Sequence, residues 1–204
     1  MNDNLMMIIQ DRVFSGLGKK NGNFLLLKHY NTLVLNEEKK AQIEKINPAA
    51  MVYLHDFKLS HMVGVFEPFF DFVRNELGEL SDDEIDSLLD ECHVYSLHKS
   101  VFKSFLKTGI CVREETILID EVGFEQDKIA TAVVNIVAYI ARNRKLIFLL
   151  NDVQYASGST LHVLLNYMAK SENSQNIAIV AAYNEAKTLL PHLEVPWNIF
   201  YDMV

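Results

Sequence analysis

The chain is poor in the features that mark partners made of nucleic acid or lipid. Lysine and arginine together number 19 against 27 aspartates and glutamates, for a formal net charge of −8. A surface that grips a phosphate backbone needs clustered cations, so nucleic acid is excluded as an expected partner. No apolar run is long enough to cross a bilayer. The apolar stretch Leu5-Met6-Met7-Ile8-Ile9 is too short for a secretory leader and follows the acidic Asp3. Only two cysteines occur, Cys92 and Cys111, which is no disulfide framework and suits a reducing compartment. A soluble, cytoplasmic protein is the expectation. Internal repeats and low-complexity segments are missing as well.

Several catalytic patterns are also absent. No C-x-x-C pair occurs and no two histidines stand four apart on a helical stretch. His55-Asp56 with His61, and Cys92 with His93 and His98, are donor groups of the kind a metal hydrolase uses, without the accompanying acids. Ser157-Gly158-Ser159 lacks the flanking glycines of a nucleophile elbow, and Ser60-His61 has no third partner to orient it. A histidine at a strand end and a buried cysteine have ordinary roles in a core, which is the plainer reading of both.

What remains is an ordinary globular composition: 204 residues, 50% hydrophobic and 23% charged, enough for one substantial core or two small ones. The most informative stretch is Lys145 to Tyr155. Leu146-Ile147-Phe148-Leu149-Leu150 is continuously apolar, as a central strand of a parallel sheet must be when helices cover both faces. It runs into the polar pair Asn151-Asp152, and ligands of such sheets gather at the carboxyl ends of the strands.

Three other strands are expected, at 24–28, 51–55 and 177–182, the last ending at Tyr183 and Asn184. Helices are expected near 4–14, at 37–46 up to Asn47-Pro48, along the stripe Phe66, Phe69, Phe70, Val73 and Leu77, at 82–91, at 97–108, at 124–142 and at 158–170. Ser81-Asp82-Asp83-Glu84 has the form of a capping box, and its acidic run reads as a solvated helix face. Each pair of successive strands is separated by a helical crossover, which makes the sheet parallel. The phenylalanines of the insert read as core; exposed, they would line a partner-binding groove.

A strand end carrying an aspartate invites comparison with phosphate-binding folds, which need a glycine-rich loop ending in lysine and a hydroxyl residue. Gly16-Leu17-Gly18-Lys19-Lys20 does not supply one, since Val13 stands five before Gly18 and Lys20 follows Lys19. The better place is between the strand at Phe24-Leu25-Leu26-Leu27 and the helix capped by Asn36. Residues His29 to Leu35 there hold neither glycine nor lysine, and Glu37 and Glu38 would repel a triphosphate.

The segment Leu146 to Leu165 resembles the second acidic motif of the STAND branch of AAA-type ATPases. In it Asn151 stands where the first acid belongs, Asp152 matches the second, and Gln154, Tyr155 and Ala156 match the trailing residues. Ile179 to Glu185 resembles the next strand of that family, with Asn184 at the position that senses the γ-phosphate. Val65-Phe66-Glu67-Pro68-Phe69 resembles its Pro-Phe element. The whole chain is similar to N-terminal regions of multidomain bacterial signalling proteins. The resemblance implies an α/β three-layer sandwich with a mainly parallel, P-loop NTPase-like sheet and a helical insert at about 57–110, all within one domain over 1–204. The sheet would need completing near the end of the chain, and a fragment of a longer protein remains an open alternative.

The departures imply a domain that kept the fold and lost hydrolysis. Asn151 removes a charge from a site that must hold a dication, and the phosphate cradle is missing. The expectation is a non-catalytic sensory, regulatory or protein-interaction module with no required cofactor. Asn151, Asp152 and Asn184 would be remnants of a nucleotide and magnesium site, and His55 and Asp56 would contact a ligand, a protein partner or an attached output domain. Two alternatives stay open: an active ATPase with an unorthodox phosphate loop, and a small metal-dependent hydrolase. Asp152 has a plainer reading as a turn residue before Ser157-Gly158-Ser159.

Overall fold

The apolar run that dominates the sequence forms β3, Lys145–Asn151, and its residues Leu146 to Leu150 are all completely buried. The fold is a computed structural model that describes residues 2–14, 23–29, 35–58, 66, 68–108, 122–163, 168, 175–184 and 200–202. Four further strands join β3: β1 (Asn23–His29), β2 (Ala50–Asp56), β4 (Ile177–Asn184) and β5 (Phe200–Asp202). They make one sheet in the order β2-β3-β4-β1-β5, and every pairing is parallel. The fifth strand escaped the sequence analysis because three residues carry no readable periodicity.

The helices are α1 (Asn2–Ile9), α2 (Glu37–Ile46), α3 (Phe69–Leu77), α4 (Asp82–Glu91), α5 (Lys99–Thr108), α6 (Val122–Ile140) and α7 (Gly158–His162). The step from β1 to β2 crosses the sheet in the opposite sense to the steps from β2 through β3 to β4. Right-handed connections then put their helices on opposite faces, and two separate cores result. One face joins Leu25, Leu27, Ile147, Leu149, Ala178 and Val180 to Leu5 and Ile9 of α1 and Ile43 of α2. The other joins Leu26, Leu146, Phe148, Leu150 and Ile179 to α3, α4, α5 and α6. Helices on both faces of a parallel sheet make an α/β three-layer fold.

Three helices, α3 to α5, stand between β2 and α6. Phe148 is the meeting point of sheet and insert, with edge-to-face contacts to Tyr53, Phe69 and Phe72 at centroid distances of 5.8, 5.3 and 5.0 Å. Phe66 lies ahead of α3 rather than within it, in a left-handed conformation (φ 57°), with its ring still packed edge-on to Phe70. α3 stops where Gly78 takes φ 65°, a value a glycine adopts without strain.

The capping box opens α4 as its sequence requires: the Ser81 amide donates to Glu84 Oε2 at 2.9 Å, and the Glu84 amide donates to Ser81 Oγ at 3.4 Å. The Ser81 hydroxyl, which donates to Glu84 Oε2 at 2.7 Å, and after it the Ser81 amide hold the Glu84 carboxyl below its ordinary range. The acidic run is half-exposed, and three of its charges are answered. Asp82, Asp86 and Asp90, one turn apart on α4, meet Lys107, Lys103 and Lys99 of the antiparallel α5, with 2.7 Å between Lys103 and Asp86.

Candidate functional site

Side chains alternate between the two faces of a sheet, so position along a strand decides which layer a polar end residue meets. Asp56 of β2, Asn151 of β3 and Asn184 of β4 share the parity of Val52, Leu149 and Val180, and so face the layer of α2. They form a row across the carboxyl edge, with Asp56 in register with Asn151 and Asn184 in register with His29. The helix after β1 lies on this face while those after β2 and β3 lie on the other, which sets the topological switch point beside this row.

Asn151 is completely buried, and its amide is fully engaged. The Leu35 amide donates to its Oδ1 at 3.1 Å, while its Nδ2 donates to the Leu35 carbonyl at 2.5 Å and to Asp56 Oδ1 at 2.6 Å. The side chain thus pairs with the backbone just before α2 as another peptide would. A carboxylate could not replace it: it has no donor for the Leu35 carbonyl and would face Asp56 as a like charge. The asparagine that looked like a lost acid is the residue this geometry demands.

Asp152 occupies a left-handed turn (φ 52°, ψ 43°) that ends β3 and starts a short 3-10 turn, Val153–Tyr155. Asparagine and aspartate tolerate that conformation best among residues with a Cβ. Its Oδ1 accepts from Gln154 Nε2 at 2.8 Å, and Gln154 Oε1 accepts from the Asn184 amide at 3.1 Å. Gln154, itself buried, therefore ties the turn after β3 to the end of β4. Ser157 caps α7 through the Thr160 amide at 3.2 Å, and Ser159 Oγ accepts from the Phe66 amide at 3.4 Å. Of the oxygens at this edge, that of Asn151 accepts from the Leu35 amide, while Asp56 Oδ1 and Asp152 Oδ1 each accept one side-chain hydrogen bond.

His55 does not join its sequence neighbour. Opposite parity turns it to the insert face, where its ring stacks over Tyr53 at 6.4 Å and meets Phe57 edge-on at 4.6 Å. Outside the described residues lie Gly16 to Lys20, Tyr30 to Val34, Ser60, His61, Val65, Glu67, Cys111, Glu185 and most of the end of the expected helix 158–170.

One residue at this edge was missed by the sequence analysis. Lys39, in the first turn of α2, is 3% exposed and shares the helix's buried face with Ile43 one turn later. The signal was legible: Lys39 and Ile43 stand four apart on the stripe that must face the sheet.

A cleft of about 390 Å³ lies away from this row, beside the amino ends of β3 and β4, and is lined by Glu91, Cys92, Asn135, Tyr139, Arg142 and Asn176 among others. Arg142 Nη1 donates to Glu91 at 2.6 Å and its guanidinium covers the Tyr139 ring at 3.9 Å. The Glu91 bond comes first among the interactions holding Arg142 in its charged form. Burial, with a smaller contribution from Glu91, pushes the Cys92 thiol up to about 12, so it is neither a thiolate nucleophile nor a ready ligand. Among the described residues no group of three metal-ligating side chains occurs, and no helix is long and apolar enough to cross a membrane.

No family model matches the chain, and no curated protein does. Among solved structures, a Walker-type ATPase of Pyrococcus abyssi is similar at 9% identity and a TM-score of 0.38, over 91% of this chain and 45% of that one. The chain thus spans under half the length of that protein, and a likeness this distant fixes neither family nor activity.

Proposed function

We propose that the chain is a non-catalytic, ATPase-like regulatory or protein-interaction module of a cytoplasmic bacterial signalling protein. The observation that carries this reading is the Asn151 amide, closed on the Leu35 backbone and on Asp56 at the edge where a hydrolase would hold its metal and its water. Hydrolysis of a nucleoside triphosphate needs a dication bridging the outer phosphates and a positioned nucleophile. Here an amide stands at the place of the metal-side acid, and its oxygen is engaged by the Leu35 backbone. The net charge of −8 supports a protein partner or an attached output domain over nucleic acid. A partner at the strand ends would act through β2 and β3, which carry Tyr53 and Phe148 into the aromatic packing of the insert.

The test is single-turnover hydrolysis of ATP with magnesium, at protein in excess, for the wild type and Asp152→Ala. No phosphate release above the buffer rate is expected from either. Turnover by the wild type that Asp152→Ala removes would sink the non-catalytic reading.

A further inference from the structure

We propose that the cleft beside the amino ends of β3 and β4 binds a small neutral polyhydroxyl compound, a monosaccharide or cyclitol. This goes beyond the non-catalytic reading and does not depend on it. Its first ground is an asymmetry between two helix ends. α3 stops at Gly78 (φ 65°), where a glycine takes the left-handed conformation freely, whereas α4 stops beside His93, which holds φ 54° with a full side chain. The Val94 amide donates to the Leu89 carbonyl at 2.9 Å across that turn, a stop that a glycine would make with less strain. The imidazole is exposed and makes no side-chain hydrogen bond within the protein among the described residues. Ending the helix does not call for an imidazole, and what this one borders is the cleft.

The cleft walls present fixed acceptors and fixed donors side by side. Asn135 Nδ2 donates to the Cys92 carbonyl at 3.0 Å, and Asn176 Nδ2 donates to the Ala141 and Arg142 carbonyls at 3.2 and 3.4 Å. With both nitrogens turned to carbonyls, each Oδ1 is left without a donor among the described residues, and neither is sealed from solvent. Donors come from Arg142, which Glu91 at 2.6 Å and the Tyr139 hydroxyl at 3.2 Å hold in one place with N–H groups to spare. Gln175, exposed and without a side-chain partner among the described residues, supplies both kinds of group.

Three properties of the cleft choose the ligand class. The two full charges, on Glu91 and Arg142, cancel, and Cys92 keeps its thiol proton, so the wall favours a neutral molecule. Interleaved donors and acceptors suit groups that act as both, and hydroxyls are such groups. A planar base would need an open ring to stack on, whereas the Tyr139 ring packs against the core of the insert face and carries the Arg142 guanidinium at 3.9 Å. The room, about 390 Å³, is at the small end for ligand clefts and fits one ring rather than a chain of them.

Calorimetry on the full chain tests this with myo-inositol, glucose and ribose in separate arms, and with sucrose and guanosine as comparisons. Sugars raise Tm generally by exclusion from protein surfaces, so the supporting signal is a saturable heat. At least one of the three is expected to bind with a dissociation constant of about 1 mM or tighter. Gln175→Ala removes no bond among the described residues, and His93→Gly relieves the left-handed turn. Each is expected to weaken that binding, and the double variant to weaken it at least about tenfold. Without ligand, His93→Gly is expected to unfold at the same or a higher Tm than the wild type.

Absence of a saturable heat from all three probes overturns the proposal, as does a double variant that binds like the wild type. Guanosine binding that ribose does not reproduce would overturn it in favour of a base. Sucrose bound as tightly as the single-ring probes would overturn the one-ring limit, and His93→Gly unfolding below the wild type would overturn the assignment of the imidazole to the ligand. Hydrolysis of ATP is scored separately, so a catalytic result would defeat the non-catalytic reading without touching this cleft.

Discussion

Asp56 Oδ1 accepts a hydrogen bond from Asn151 Nδ2 at 2.6 Å across the register of β2 and β3, and the same amide nitrogen holds the Leu35 carbonyl. Two strands and the backbone before α2 are thereby joined at one buried nitrogen. Restoring the acid at this position is expected to destabilise the protein and to restore no hydrolysis. Asn151→Asp strands the Leu35 carbonyl and sets two carboxylates together, at a cost of roughly 2–3 kcal/mol at neutral pH. The new carboxyl, buried beside Asp56, would titrate above its unfolded value. Its protonated form is the one the fold tolerates, so the variant's deficit is smallest below about pH 4 and grows as pH rises. Urea unfolding of wild type and variant across pH 3.5 to 8, roughly the span between those limits, checks both size and sign.

Gln154 is the clasp between the turn after β3 and the end of β4. Gln154→Leu leaves the Asn184 amide, inside the protein, without its acceptor, and about 1–3 kcal/mol should be lost. Hydrogen exchange would distinguish this from a general loss. Faster exchange at Asn184 is expected, with the centre of β3 unchanged; uniform acceleration along β3 would contradict the local clasp.

The three ion pairs between α4 and α5 are half-exposed, and their individual worth is small. Exposure of 49% at Asp86 and 29% at Lys103 places a double-mutant cycle on that pair at about 0.2–1 kcal/mol. The coupling should fall toward zero in about 1 M salt, where the screening length is about 3 Å. A coupling that persists in high salt would mean that the pair is desolvated, contrary to its exposure.

Phe148 is fully buried among three rings, and Phe148→Ala should cost about 3–5 kcal/mol. Measured with Phe72→Ala, whose ring lies 5.0 Å away, the two losses should not add, because each empties part of the same packing.

Cys92 gives an alkaline signature. Its thiol is pushed up to about 12 by burial, whereas an unfolded cysteine ionises near 8.5. The unfolded chain therefore loses the proton first, and stability falls between about pH 8.5 and 12 after being fully present below that window. In a Cys111→Ser background, iodoacetamide should label native Cys92 only as fast as the protein opens; rapid labelling at pH 8 would refute a protected thiol.

Local signals were read well where one principle dominated. Helix α2 runs from Glu37 to Ile46 as its cap, its charges and Asn47-Pro48 require, and α4 begins at the capping box visible in its first four residues. Strand β3 was legible because five consecutive apolar residues have no stable place except inside a sheet covered on both sides. β5 was not, since a strand of three residues is specified by the edge of β1 that it meets. Phe66 fitted the helical stripe of α3 by spacing alone, yet the turn before Pro68 holds it outside the helix while its ring stays in the same core.

The sequence by itself determined the alternation of helix and strand, the polar ends of the central strands and the absence of a glycine-rich phosphate loop, because these follow from periodicity and residue type over a few neighbours. Only the tertiary structure decided which of those ends meet. Sheet parity sends His55 to the aromatic insert and Asp56 to Asn151, and packing brings Lys39 into the interior. The meaning of Asn151 turned on Leu35, 116 residues away in the chain, and no local pattern can encode a bond between positions so far apart.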